Sequence, residues 1–394
     1  MKLLIAIPAL NEEQSIRGTI KRCLDAREAI LTNSPVTDVE ITVVSDGSTD
    51  HTVARATEFG SLINLIAFAE NQGYGAAIME AWSRSEADLL GFLDADGTCD
   101  PRFFAALCKT LADTNADVVL GCRLNKASHM PLIRRLGNAL FARLLSAFSS
   151  VDVRDTASGM RVVRRSALRH LYPLPAGLHF TPAMSARAML SDATRIVEID
   201  MPYAEREGQS KLKVVRDGFR FLRVILESAL LYKPAHILLA LAFGCSAAGG
   251  LLMLRPLTYY LQTRTVAEWM IYRFLVSSLA AHATLLLSCA AMLSSRMASI
   301  ALHEEVTAKP PVLSRWMRTA WFWLTIAVLM CAGAALVWPS AVELWATGHT
   351  DVHWSRFVVA MNCFGAAATL GIARGIDSVL DLVEQRVRYL WKST

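Results

Sequence analysis

No two of the eight cysteines of this 394-residue chain form a CxxC pair, and Cys245, Cys289, Cys331 and Cys363 lie in apolar stretches. They read as reduced, mostly buried thiols, as expected of a cytoplasm-facing protein. Internal repeats and low-complexity tracts are also missing. The N-terminus has no basic n-region, and Leu3–Ile7 is too short for the core of a signal peptide, so no export signal is expected there. Residues 176–191 contain no Asp or Glu. What the chain has in excess is apolarity: 53% of residues are hydrophobic and mean hydropathy is positive. That is too apolar for an ordinary soluble enzyme. The excess is uneven, mixed up to Tyr203 and charge-free over long stretches from Ala235 onward. One soluble domain followed by a membrane domain is the expected organisation. The net charge of +5 is modest, and many of the basic residues stand just before the first membrane segment.

Apolar runs at Leu3–Ile7, Ile41–Val44, Ile63–Phe68, Leu89–Leu93 and Val118–Leu120 predict strands. Helical patterns at Glu12–Ile30, His51–Phe59 and Tyr74–Ser83 separate the first four, and Pro101–Leu111 follows the fourth. The alternation predicts an α/β domain with a mostly parallel sheet. In a parallel sheet the carboxyl ends of the strands share one edge, where open α/β sheets bind ligands. Four successive strand ends carry polar or glycine-rich loops: Pro8–Glu13, Asp46–Asp50, Asn71–Ala77 and Asp94–Gly97. Together they predict a nucleotide crevice. Gly73 and Gly75 let backbone approach a ligand, and the helix after them offers free N–H groups to an anion. The strand Leu89–Leu93 runs directly into Asp94-Ala95-Asp96, two hard oxygen ligands suited to Mg2+ or Mn2+ holding a diphosphate.

In this order, IPALNEE, VVSDGSTD, NQGYGAA and FLDADGTCDP resemble the family 2 glycosyltransferases of the GT-A fold. DTASGMRVVRR and EREGQSKL narrow the likeness to the branch of dolichyl-phosphate mannose synthase and bacterial polyprenyl-phosphate glycosyltransferases, over roughly residues 1–232. The resemblance implies that Pro8, Ala9, Asn11, Glu12, Asp46 and Ser48 surround base and ribose, with Asn71, Gly73 and Ala95 also on the nucleotide sugar. It makes Asp94 and Asp96 the metal ligands, with Asp96, Arg154 and Ser158 at the reacting centre. Members often carry a further glutamine ligand where this chain has Thr98, so water is expected to substitute there. Arg154 and Ser158 are expected on the acceptor phosphate, joined by Arg123, Arg134, Arg206 and Lys211. Arginine suits that task because its planar fork of donors matches phosphate oxygens. Arg164 and Arg165 are expected on a solvated basic surface, and His179 is expected to be structural.

The acid-free stretch 176–191 now acquires meaning. Relatives that glycosylate hydroxyls commonly place a general base there, and their QxxRW motif is also missing. A phosphate monoester has a second pKa of about 6 and needs no such base. The absence favours a polyprenyl phosphate acceptor (dolichyl or undecaprenyl phosphate) over a hydroxyl, with Asp192 just outside the window as the one nearby acid. The expected reaction is direct displacement at C1 of a nucleotide diphosphate sugar, with inversion. The alternatives are a membrane glycosyltransferase acting on a lipid or glycan hydroxyl, and a non-catalytic scaffold with a degenerate transferase domain.

Helices about 131–148 and 211–233 are amphipathic, with basic residues beside an apolar face, and are expected to lie in the membrane interface. The catalytic domain is thus expected over 1–210 and the membrane domain over 234–394. Four spans are predicted at about 235–254, 274–293, 320–338 and 357–373. Lysine and arginine crowd residues 211–233, the loop between spans two and three, and the C-terminal tail, so both ends are expected to face the cytoplasm. The expected partners are the donor, the lipid and the membrane. A homo-oligomer is left open, and nothing points to nucleic acid.

Overall fold

The computed structural model describes residues 1–125, 132–149, 151–204, 214–302 and 312–392. The chain divides into two units, Met1–Tyr232 and Lys233–Thr394. Arg206, Lys211 and the expected boundary at 210 lie outside the described residues, as does the side chain of Arg134.

Unit one is built on seven strands: β1 Lys2–Ala9, β2 Asp38–Ser45, β3 Asn64–Ala67, β4 Leu89–Phe92, β5 Val118–Cys122, β6 Arg161–Arg164 and β7 Ile196–Asp200. Their order is β3-β2-β1-β4-β6-β5-β7. β1 pairs parallel with β2 and with β4, β2 pairs parallel with β3, and β5 with β7; only β6 is antiparallel, to both β4 and β5. The first four strands therefore end on one edge, as expected. Their apolar runs are buried on both faces, from Leu3 to Ile7 and from Leu89 to Leu93, because helices cover the sheet on either side.

Those helices are α1 Ile16–Asn33, α2 Thr52–Thr57, α3 Tyr74–Ser83, α4 Phe104–Asp113, α5 Leu132–Ser146, α6 Leu168–Leu171, α7 Phe180–Leu190 and α8 Val214–Tyr232. α1 starts four residues later than the apolar pattern suggests. The N–H groups of Ser15 and Ile16 both turn back to the Glu12 carbonyl, and Asn11 takes a left-handed φ of 50°. The residues before Ile16 are thereby kept as loop at the sheet edge. Asp100 caps the turn that leads into α4 by accepting from the Arg102 N–H at 3.0 Å, with Pro101 behind it. β6 and β7 were not legible as strands. β6 reads Arg-Val-Val-Arg, too short and too basic for an apolar run, and it becomes a strand because β4 and β5 clasp it.

Two helices of this unit turn apolar rows outward. On α5, Ile133, Leu136 and Leu140 are exposed at one-turn spacing; on α8, Phe219, Leu226 and Leu230 are. The two helices meet through Phe141 and Phe221, ring centroids 6.0 Å apart. Asp217 departs from the solvated polar stripe expected of α8: it is fully buried.

Unit two contains α9 Pro234–Thr263, α10 Ile271–Leu302, the short α11 Val312–Met317, α12 Ala320–Thr347 and α13 Ser355–Lys392. α9, α12 and the helical stretches 268–302 and 355–390 are long and apolar enough to cross a membrane. His282 on α10 packs against α13 where Gly365 leaves room, since a Cβ there would lie 2.1 Å from its Nε2. Beside it, Asn362 donates to the Ser278 hydroxyl at 2.7 Å. Just past the apolar windows, Arg296 meets Asp377, Asp381 and Glu384, while Arg318 joins Asp381 at 2.7 Å and Arg374 joins Asp377 at 3.1 Å. Three arginines and three acids thus neutralise one another and tie α10 to α13.

Candidate active site

A cleft of about 600 Å³ opens at the carboxyl ends of β1, β2 and β4. Its lining includes Pro8, Ala9, Leu10, Glu12, Asp46, Asn71, Gly73, Tyr74, Asp94, Ala95 and Asp96. Nine of these eleven were singled out from the sequence; Leu10 and Tyr74 were not. Asn11 and Ser48 do not line it; the Ser48 hydroxyl accepts from the Asn11 N–H at 3.0 Å and Asn11 Oδ1 accepts from the Thr49 N–H at 2.8 Å. They brace the first two loops against each other.

Asp46 is buried and its carboxylate accepts the backbone N–H groups of Gln72 at 2.7 Å and Gly73 at 3.0 Å. The second loop thereby shapes the third. Gly73 has φ +112°, and a Cβ there would strike the Ala176 carbonyl oxygen at 2.4 Å. No other residue type fits that position without moving the backbone.

The twin acids are held differently. Asp96 is buried, and Thr98 donates to its Oδ1 twice, from the hydroxyl at 2.7 Å and from the backbone N–H at 3.2 Å. Thr98 therefore orients Asp96 instead of lining the cleft itself. Asp94 accepts the Tyr74 hydroxyl on Oδ1 at 2.7 Å. Its Oδ2 presses on Gly159, where a Cβ would lie only 2.2 Å away. Tyr74 is in turn packed edge-on against Phe92 and Phe180, at 6.4 and 6.5 Å between ring centroids. Two hard carboxylates fixed from behind at a cleft wall suit a divalent cation that keeps several positions for water and phosphate oxygens. Among the described residues no cluster of three His, Cys, Asp or Glu offers a fuller protein cage.

The cleft lining also contains arginines. Arg123, at the end of β5, forms a two-pronged pair with Asp155, at 2.7 Å from Nε and 2.9 Å from Nη2. Burial works against the Asp155 charge, yet Arg123 and the surrounding hydrogen bonds hold its carboxyl below the ordinary value. Asn138 on α5 donates to the same carboxylate at 2.6 Å and accepts from the Thr156 hydroxyl at 3.0 Å. α5, with its outward apolar row, is locked to the site through that amide. The other arginines of the lining are Arg216 and Arg220, both from α8. Buried Asp217 pairs with Arg220 at 3.2 Å and Arg216 at 3.8 Å. As a plain amphipathic pattern α8 gave no signal that its arginines reach a cleft.

Arg154 and Ser158 are placed otherwise than the motif suggests, and neither lines the cleft. Arg154 forks onto Glu198 at 2.6 Å and Asp200 at 2.5 Å, both on β7. Ser158 is buried and donates to the Gly121 carbonyl at 2.6 Å. Their neighbours Ala157 and Gly159 do line it. Arg165 is half-buried, not on a solvated surface as expected, and donates to the carbonyls of Ala87 and Ser85, each at 2.6 Å. Arg161 is wholly buried; it donates to the Ser158 carbonyl at 2.8 Å and its guanidinium stacks 5.8 Å from the Phe92 ring. Burial pushes it down to about 10. His179 heads α7, its imidazole lowered by burial and then by nearby Arg220. Asp192 is exposed beyond α7 and does not reach the cleft.

Residues 4–172 match the profile of glycosyl transferase family 2. The low-salt glycan biosynthesis hexosyltransferase Agl6 of Haloferax volcanii is 32% identical over 63% of this chain and 57% of its own length. The dolichyl-phosphate hexose transferase of the same organism is 32% identical over 58% of this chain and 94% of its own length. The dodecaprenyl-phosphate galacturonate synthase of Rhizobium johnstonii is 25% identical over 64% of this chain and 75% of that protein. The chain thus spans little more than half of the first relative and nearly all of the second.

Proposed function

This chain belongs to glycosyl transferase family 2, and on that footing we propose that it moves one sugar from a nucleotide diphosphate sugar to a polyprenyl phosphate, inverting C1, at the cytoplasmic face of a membrane. One observation carries the reading. The cleft has four acidic residues, Glu12, Asp46, Asp94 and Asp96, on the loops after β1, β2 and β4, and three arginines, Arg123 after β5 and Arg216 and Arg220 from α8. No lining residue from α5, α7 or α8 is an acid. An acceptor entering from that side meets guanidinium groups and no general base, which suits a nucleophile that arrives already ionised. Two of the relatives are named for lipid phosphates, and the outward apolar rows of α5 and α8 suit delivery of such a lipid from the bilayer.

In this reading Asp46 and the Gly73 loop seat the nucleoside. Asp94 and Asp96 would hold Mg2+ or Mn2+, which when bound supplies positive charge for the departing nucleotide diphosphate. Arg216 and Arg220, steadied by Asp217, grip the acceptor phosphate and aim one of its oxygens at C1. Arg123, fixed by Asp155, adds a third cation beside the same path. The basic residues on 211–233 and on the loop between α10 and α12 favour a cytoplasmic position for the catalytic unit.

The test is nucleotide release from a panel of donors, with undecaprenyl or dolichyl phosphate in detergent or membranes. Release should require both a divalent cation and the lipid phosphate; equal turnover with the matching polyprenol, which carries a hydroxyl instead, would overturn the proposal. Two variants sharpen it. Replacing both Arg216 and Arg220 by glutamine should raise the KM for the lipid phosphate at least about tenfold while leaving the KM for the donor near wild type. Tyr74→Phe, which removes the hydroxyl behind Asp94, should raise the Mn2+ concentration for half-maximal activity by roughly tenfold, the usual effect of losing a partner that orients a metal ligand. Direct Mn2+ titration by electron paramagnetic resonance should show the same shift.

A further inference from the structure

The arginines of unit two fall into two groups. Arg296, Arg318 and Arg374 are each paired with carboxylates. Arg255 and Arg273 are not: among the described residues no carboxylate lies within ion-pair distance of either, although Glu268 is close by in sequence. Both guanidinium groups instead converge on one indole, Trp269, at 5.5 and 5.7 Å from its ring centroid. Tyr259 stands edge-on to the same ring at 5.6 Å. Pro256 inside α9 has no N–H to give to the Leu252 carbonyl four residues back, and Arg273 Nη1 takes that place at 3.4 Å. Among the described residues, the remaining donors of Arg273 and all those of Arg255 have no protein acceptor.

Depth along the helix says what they can meet. Arg255 stands 21 residues beyond Pro234, the first residue of α9; at about 1.5 Å per residue that is roughly 31 Å, the thickness of the hydrocarbon core. Arg273 opens the returning helix α10 at the same end. The pair therefore sits at headgroup level on the membrane boundary opposite the one where α9 begins. Trp and Tyr favour that level. Arginines are disfavoured on that side, so two of them sharing one ring call for an anion to offset their repulsion. At that depth the abundant anion is the phosphate of a lipid, and arginine's planar fork matches it.

We propose that Arg255, Arg273 and Trp269 form a binding site for the phosphate of a lipid headgroup at this far boundary, separate from the cleft of the catalytic unit. The ligand is a phosphodiester of the bilayer or a phosphomonoester of a polyprenyl chain, and the experiment separates them. Full-length protein in detergent is titrated by native mass spectrometry with phosphatidylglycerol, undecaprenyl phosphate and, as the phosphate-free control, diacylglycerol. R255Q/R273Q should weaken the retained phospholipid at least tenfold without changing diacylglycerol, and R255K/R273K should lose less. Loss for both lipids identifies a general phosphate site, and loss for undecaprenyl phosphate alone identifies a polyprenyl site. W269L, which keeps both charges, serves as the second variant if the glutamine pair folds poorly, and should lose affinity several-fold. Unchanged retention of both lipids in the folded glutamine variant or in W269L overturns the proposal.

Discussion

Asp96→Ala is expected to abolish sugar transfer, lowering kcat by about a thousandfold or more, while leaving the fold intact. The carboxylate faces the cleft and is oriented by two donations from Thr98. In the proposed reaction Asp96 would help hold the divalent cation; the charge such a cation supplies to a leaving diphosphate is worth several kcal/mol, with each 1.4 kcal/mol a factor of ten in rate. Nucleotide release in the presence of lipid phosphate and Mn2+ measures the loss. Hydrogen exchange over β4 distinguishes it from unfolding, since Asp96 lies outside the strand and contributes no ladder bond. Turnover within tenfold of wild type would remove the acid pair from the chemistry and with it the proposed reaction.

The second large effect is on stability. Asp155→Asn should destabilise the unit 1–232 by roughly 3–5 kcal/mol, because Arg123 is then left buried without its counter-charge. Asp155 has no solvent exposure and holds Arg123, Asn138 and the backbone of residue 123 together. Exchange of the β5 amides and the unfolding midpoint both report the change. Replacing the two partners at once, by R123M/D155L, should recover part of the loss, since an apolar pair needs no compensation. The same carboxylate gives a pH dependence. Its folded value is depressed, so its contribution is complete above the unfolded carboxylate range near 4 and is lost as pH falls through the lower folded value. In D155N that acid-limb slope should flatten. An unaltered midpoint and slope would show that the pair is incidental.

Much of the candidate cleft is legible in the amino-acid order. Each of the first four strands is an apolar run that must be buried, and its neighbours in sequence are the loops that must then sit at the sheet edge. Asp46, Gly73, Asp94 and Asp96 follow from that logic because a residue next to a strand end has little choice of place. The helix periods gave the outward rows of α5 and α8 in the same way. Arginine assignments were harder. A guanidinium sits on a long side chain and goes wherever an acid or carbonyl awaits it, so its partner is set by distant sequence. Arg123 finds Asp155, 32 residues on; Arg154 finds Glu198, 44 residues on; Arg165 finds Ala87, 78 residues back.

The amino-acid order by itself determined the class of this protein: a mostly parallel α/β sheet with twin acids at its edge, joined to four apolar helices. Those features are local, set by the burial of contiguous runs and by what adjoins them. Tertiary structure alone decided that β6 enters antiparallel between β4 and β5, that Asp217 turns inward, and that Arg216 and Arg220 rather than Arg154 line the cleft. Each of these depends on which separated segments meet, and buried charges accept only the neighbours that neutralise them.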